Sequence, residues 1–391
     1  MTKSLPEDPM IRSLVEAARK AQISRRHMLL GTAGTIGAAS ALSLTACAPS
    51  GDSIVWANWA AYMDEDEDGN YPTLDRFEDE SGLRVSYQID VDDNNTYYAK
   101  VKDQLALGQD IGADTVCLTD WMVARLIRFG YVQELDKAGI PNWKNLLPSL
   151  QDPGFDPGRT FSLPWQGGFA GLCWNKELFP KGLKNVSDLW DPELKGRVGV
   201  LSEMRDTIGL ILAEQGVDIS SDFTSAQFEA AIDVFKKQVD SGQIRNIKGN
   251  SYLEDLKNGD TVAAIVWSGD VTVINAEAGD KWEFIIPEAG GTLWNDNFVI
   301  PIGTKKQKDV EKLIDYYYQP DVAAEVAAWV NYITPVVGAQ AEAEKIDPAL
   351  AENQLIFPSD ETLAQVKVFR ALSADEEQSY GDLFQSVLLG A

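Results

Sequence analysis

Apolar, strand-like runs in this sequence end repeatedly in aromatic rings and carboxylates. Trp59 and Tyr62 follow "IVWAN" and lead into an acidic stretch. Thr119, Asp120 and Trp121 follow "DTVCL", Glu203 and Asp206 follow "RVGVL", and Trp267 and Asp270 follow "AAIV". "LWNDNF" supplies Trp294 and Asp296, and "NYITP" supplies Tyr332. Taken singly, each has a structural explanation: acids favour helix N-termini, and Trp is buried in most folds. Recurring at successive strand ends, the pattern suits a flexible organic cation. Ring faces hold methylene stems and attract ammonium groups at ~0.5–2 kcal/mol per contact. Carboxylates accept the ammonium N–H donors. A sugar pocket uses similar platforms and acids. A carboxylate-dependent glycosidase is a further reading, with Glu203 or Asp296 as the working group.

Composition removes other chemistries. The only histidine, His27, lies in a segment expected to be cleaved off. A mature chain without histidine builds no Ser-His-Asp or Cys-His machinery and none of the common zinc or non-haem iron sites. No cofactor is expected to be required. Cys117 and Cys173 sit in apolar runs, "DTVCL" and "GLCWN", so buried free thiols are expected rather than a disulfide.

The acidic stretch has a pattern of its own. Asp64, Asp66, Asp68, Gly69, Asn70 and Asp75 follow the spacing of a twelve-residue calcium loop: acids at positions one, three and five, glycine at six, a carbonyl at seven and an acid at twelve. Asp75 replaces the usual bidentate Glu, which weakens the site. The plain alternative is a solvated acidic loop. A structural Ca²⁺ is therefore an expectation of spacing alone.

The N-terminus reads as an address. "SRRHMLLG" places paired arginines before a mildly apolar Ala/Gly/Thr-rich stretch, too short to span a bilayer, in the manner of a twin-arginine export signal over residues 1–46. "LTAC" then places Cys47 where a lipobox cysteine is acylated, so the only membrane attachment expected is a lipid anchor. Of 34 basic and 60 acidic residues, six and three lie in residues 1–46, leaving 28 and 57 and a net charge of −29. Nucleic acid is excluded as a partner by that charge, and cationic small molecules are drawn in.

About 340 mature residues exceed one comfortable core, so two domains are expected. Strand-like runs ("SIVWAN", "LRVSYQ", "ADTVCL", "RVGVL", "TVAAIVW", "WEFIIP") alternate with helical stretches. Helices are predicted over residues 73–80, 97–107, 121–129, 204–215, 225–241, from 271, and over 306–318 and 322–329, the last two split by Pro320. This is an α/β pattern with mainly parallel sheets, in which ligands bind beyond the carboxyl ends of strands.

Over nearly its full mature length the chain resembles the spermidine/putrescine-binding proteins of bacterial ABC importers. The motifs are "NWAAY", "KVKDQLALGQDIGADTV", "LPWQGGFAGLCWNKE", "SDLWDPELKGRV", "GDTVAAIVWSGD", "GGTLWNDNFVIP" and "YITP". The resemblance implies a two-lobed periplasmic-binding-protein fold with a hinge. One lobe would be residues 52–165 plus 295–340, the other 166–294 plus 341–391. It implies a polyamine in the cleft, held by Trp59, Tyr62, Thr119, Trp121, Glu203, Asp206, Trp267, Trp294, Asp296 and Tyr332. It also implies delivery to an ABC permease by a monomeric protein on the outer face of the cytoplasmic membrane. One departure stands out. Ala60 and Ala61 occupy the places where the family carries a hydroxyl and an acid, and Asp120 is the candidate replacement for the missing carboxylate.

Overall fold

The computed structural model describes residues 53–390 apart from residue 67. The expected export signal and Cys47 lie outside the described residues. Ten strands form one continuous sheet: β1 Ile54–Trp59, β2 Val85–Val91, β3 Thr115–Thr119, β4 Ser162–Asn175, β5 Val198–Leu201, β6 Ile244–Lys248, β7 Ala263–Trp267, β8 Trp282–Ile285, β9 Gly291–Val299 and β10 Val366–Val368. The order is β2-β1-β3-β9-β4-β7-β5-β6, with β10 on β9 and β8 on β4. At one end β2, β1 and β3 are parallel; at the other β7, β5 and β6 are parallel. Between them β3/β9, β9/β4 and β4/β7 run antiparallel. The mainly parallel expectation thus describes the two ends, and the centre departs from it because the chain passes back from one half to the other.

Local sequence explains the flanking helices. Thr224 and Gln227 form the capping box of Ser225–Asp240, whose Phe228, Ala231, Ile232 and Phe235 are buried at helical spacing. Gly130, at φ 69°, closes Asp120–Phe129 in the left-handed conformation that glycine tolerates. Pro320 opens the helix Pro320–Val330, where its missing N–H costs nothing. No helix among the described residues is long and apolar enough to cross a membrane.

Two large apolar bodies result. One gathers Trp56, Phe77, Trp165, Phe298 and Tyr317. The other gathers Leu172, Val200, Phe228, Val266 and Phe384. β4 belongs to both, through Leu163 and Trp165 at its start and Leu172 to Trp174 at its end. Cys117 and Cys173 are buried and free, as expected, and burial pushes both thiols up.

Candidate functional site

A cavity of about 420 Å³ opens where the two halves meet at the carboxyl ends of their parallel strands. All eleven residues expected from the sequence line it: Trp59, Tyr62, Thr119, Asp120, Trp121, Glu203, Asp206, Trp267, Trp294, Asp296 and Tyr332. The wall also includes Asp270, Trp329, Phe369 and Arg205, which were outside the expected site. Asp270 was legible in "WSGD". Trp329 was not, because it sits inside a helix with no strand end beside it.

Each carboxylate is fixed by its own donors. Asp296, buried on β9, accepts from Thr119 Oγ1 at 2.6 Å and Tyr62 Oη at 3.0 Å. Thr119 is held in turn by Asn94 Nδ2 at 2.8 Å. Asp206, in the first turn of the helix Met204–Glu214, accepts from Trp267 Nε1 at 2.8 Å and Thr292 Oγ1 at 2.6 Å. Asp270 accepts from Tyr252 Oη at 2.6 Å and Tyr332 Oη at 3.1 Å. Glu203 caps the same helix, accepting from Arg205 N at 3.2 Å. A carboxylate oxygen holding one neutral donor keeps a lone pair for another. Burial pushes Asp296 up to about 7, against the hydrogen bonds from Thr119 and Tyr62. Burial likewise pushes Glu203 to about 7, opposed by Arg205 and reinforced by Asp206. Such shifts mark carboxylates held out of water without a full counter-charge.

The rings form one edge-to-face chain. Trp267 and Trp294 lie 6.5 Å apart at 74°, Trp294 and Tyr332 5.3 Å at 66°, and Tyr332 and Tyr62 5.7 Å at 83°. Backbone makes room for it: a Cβ on Gly168 of β4 would meet Trp294 Cζ2 at 2.7 Å and Tyr332 Cδ1 at 2.9 Å. The electronegative faces and the acids suit a slender cation with N–H donors at intervals.

Two expected sites have hydrogen-bond partners of their own. Asp120 reaches the cavity wall, but its oxygens accept from Asn297 Nδ2 at 2.7 Å and Asn295 Nδ2 at 3.4 Å. Behind it, buried Arg159 donates to Asn297 Oδ1 at 2.8 Å. Asp120 therefore braces β9 beside Arg159 as well as facing the cavity. The calcium-loop acids do not converge. Asp64 turns inward and accepts from Thr73 N at 2.8 Å and Thr73 Oγ1 at 2.5 Å. Asp66 accepts from the backbone N–H groups of Asp68 and Asn70, both at 2.9 Å. Asp68, Asn70 and Asp75 are exposed, and no group of three acidic, His or Cys side chains among the described residues is placed to hold a metal ion. Asx-type turns explain the spacing without an ion.

Two lobes sharing a sheet, with a walled cleft between them, define a binding protein of the periplasmic two-lobed class. The chain belongs to the bacterial extracellular solute-binding protein family, which it matches over residues 72–353. It is 28% identical over 343 residues to a spermidine/putrescine-binding periplasmic protein of Salmonella typhimurium, covering 87% of this chain and 91% of that one. A solved chain from Listeria monocytogenes, provisionally assigned to a spermidine/putrescine ABC transporter, superposes with a TM-score of 0.76 at 26% identity, over 87% of this chain and 100% of the other. A spermidine/putrescine ABC transporter substrate-binding protein of Streptococcus pneumoniae, solved in complex with calcium and HEPES, shares the fold at a TM-score of 0.71 and 24% identity, over 86% and 99%.

Proposed function

We propose that the protein captures a polyamine, a spermidine- or putrescine-like cation, and presents it to an ABC permease, without catalysing a reaction on it. The observation that carries this reading is the pairing of fixed, buried carboxylates with a continuous aromatic chain inside one cleft. Trp267 and Trp294 flank the methylene stem. Glu203, Asp206, Asp270 and Asp296 accept from its ammonium and secondary amine groups. The similarity to polyamine-binding relatives supports the ligand class.

Lobe 1 is then residues 52–165 plus 295–340 and lobe 2 residues 166–294 plus 341–391, with β4 and β9 as the hinge. Packing supports this division except that Ala343, Ile346, Leu350 and Phe357 pack with the first apolar body, so residues 341–357 are better grouped with lobe 1. Export by the twin-arginine route and acylation at Cys47 complete the proposal and hold the protein beside the permease.

Titration calorimetry with spermidine, putrescine and a neutral disaccharide tests it. Removing one partner of a desolvated charge pair costs ~2–5 kcal/mol, so Asp296→Asn should weaken polyamine binding about 30-fold or more. Asp68→Asn, on the exposed loop, should leave it unchanged. Heat with the sugar and none with any polyamine overturns the ligand class.

A further inference from the structure

Behind Arg205 of the cleft wall one carboxylate meets three guanidinium groups drawn from both halves. Glu377 lies on the helix Ala374–Leu388, anchored to the second half by the stacking of Tyr380 on Phe228 at 3.9 Å and of Phe384 on Phe235 at 5.4 Å. Its Oε2 is 2.7 Å from Arg128 Nη2 and 3.3 Å from Arg125 Nε. Those arginines belong to the helix Asp120–Phe129, whose Met122, Val123 and Leu126 pack in the first half. Its Oε1 is 3.2 Å from Nη2 of Arg205, on the second half's cleft wall. Arg205 in turn lies over Trp121 of the first half, 4.1 Å from the ring centroid. The Glu377 side chain is 8% exposed and Arg125 17%, so the pair they form across the halves escapes part of the screening that makes surface pairs weak, whereas Arg128, at 34%, is screened more. The neighbouring Glu376 differs: its partner, Arg370 at 2.6 Å, belongs to its own C-terminal segment.

We infer that Glu377 is a closure latch, an ionic clasp that joins the lobes behind Arg205 of the cleft wall and raises the population of the closed form. It rests on the reading of the protein as a two-lobed solute binder. Closing brings Arg125 and Arg128 to Glu377 and Trp121 to Arg205, so these contacts exist in one state and not the other. That difference is what shifts a two-state equilibrium. Glu377 has a second effect: it engages the guanidinium of Arg205, leaving Glu203 and Asp206 less countered by a neighbouring positive charge.

Small-angle X-ray scattering of the ligand-free protein reads the latch directly. Glu377→Gln, which removes every pair of the clasp, should enlarge the radius of gyration, Arg128→Gln should enlarge it less because Arg125 still reaches Glu377, and the double variant should match Glu377→Gln. Asp375→Asn, an exposed acid on the same turn, is the charge control and should match the natural protein. Stopped-flow release of spermidine should be about tenfold faster in Glu377→Gln, since losing a desolvated pair acts on dissociation. Identical scattering in Glu377→Gln and Asp375→Asn overturns the latch. Failure of the natural protein to bind any polyamine instead overturns the proposed ligand, and scattering still decides the latch.

Discussion

Trp267 donates its indole N–H to Asp206 Oδ2 at 2.8 Å, so an aromatic wall and an acidic contact of the cleft move as one unit. Thr292 Oγ1 on β9 holds the other oxygen of Asp206 at 2.6 Å. The unit is thereby tied to β9, and the carboxylate cannot swing to find a ligand. The ligand must fit a preset geometry, which is how a binding protein separates cations of similar charge and different length.

Protons should compete with the ligand. Asp296 and Glu203 are each pushed by burial to about 7, from ordinary values of 3.8 and 4.5. Below about pH 3 each is protonated whether the chain is folded or not. Between there and about pH 7 the unfolded chain ionises first, so the folded state binds more protons and these groups lower its stability as pH rises. A bound cation reverses the preference. Polyamine affinity should climb from pH 6 to 8, by up to about tenfold per unit for each group, then level. Calorimetry at pH 6 in buffers of different ionisation enthalpy should show protons released on binding; a flat affinity with no release contradicts this.

Gly168→Ala should damage the cleft from behind. The added methyl would sit 2.7 Å from Trp294 and 2.9 Å from Tyr332, and both rings would have to shift. Overpacking of this kind costs about 1–3 kcal/mol. Spermidine affinity should fall by about fivefold or more while the far-ultraviolet circular dichroism stays native. Unchanged affinity would show that the ring chain is not the contact surface.

Asp120→Asn should affect binding far less than Asp296→Asn, because Asn297 and Asn295 already occupy Asp120 from behind. Its cost should appear as a lowered melting temperature, through the loss of the negative charge that faces buried Arg159 across Asn297. An affinity loss equal to that of Asp296→Asn would restore Asp120 as a ligand contact.

Cys47→Ser should release the protein from membranes. Several acyl chains at ~0.8 kcal/mol per buried CH₂ give stable anchoring, and serine accepts no such lipid at this position. Fractionation of cells carrying the variant should move the protein from the membrane pellet to the soluble fraction; retention in the pellet removes the lipobox reading.

The wall of the cleft was legible because its residues sit at strand ends, where apolar runs stop abruptly at rings and acids. β9 was not legible as a strand. "GTLWNDNFV" carries two asparagines and an aspartate, which propensity assigns to turns, yet Asn295, Asp296 and Asn297 are all buried. Their tertiary partners, Asp120, Thr119 and Arg159, come from far along the chain, and no local window contains them. β4 was seen only at its apolar end, since Pro164, Gly167 and Gly168 interrupt its start. The acidic loop shows the converse: spacing specifies ligand types, but the Thr73 partner of Asp64 could not be read from it.

The strands β4 and β9 pair over residues 162–170 and 292–299, and each half contributes side chains to that ribbon. A molecule assembled this way has no seam along which it can come apart. Melting either half strips the ribbon of half its cover, and the other half loses its central strands. Heating should therefore give one calorimetric transition, with matching calorimetric and van't Hoff enthalpies, in place of two successive melts.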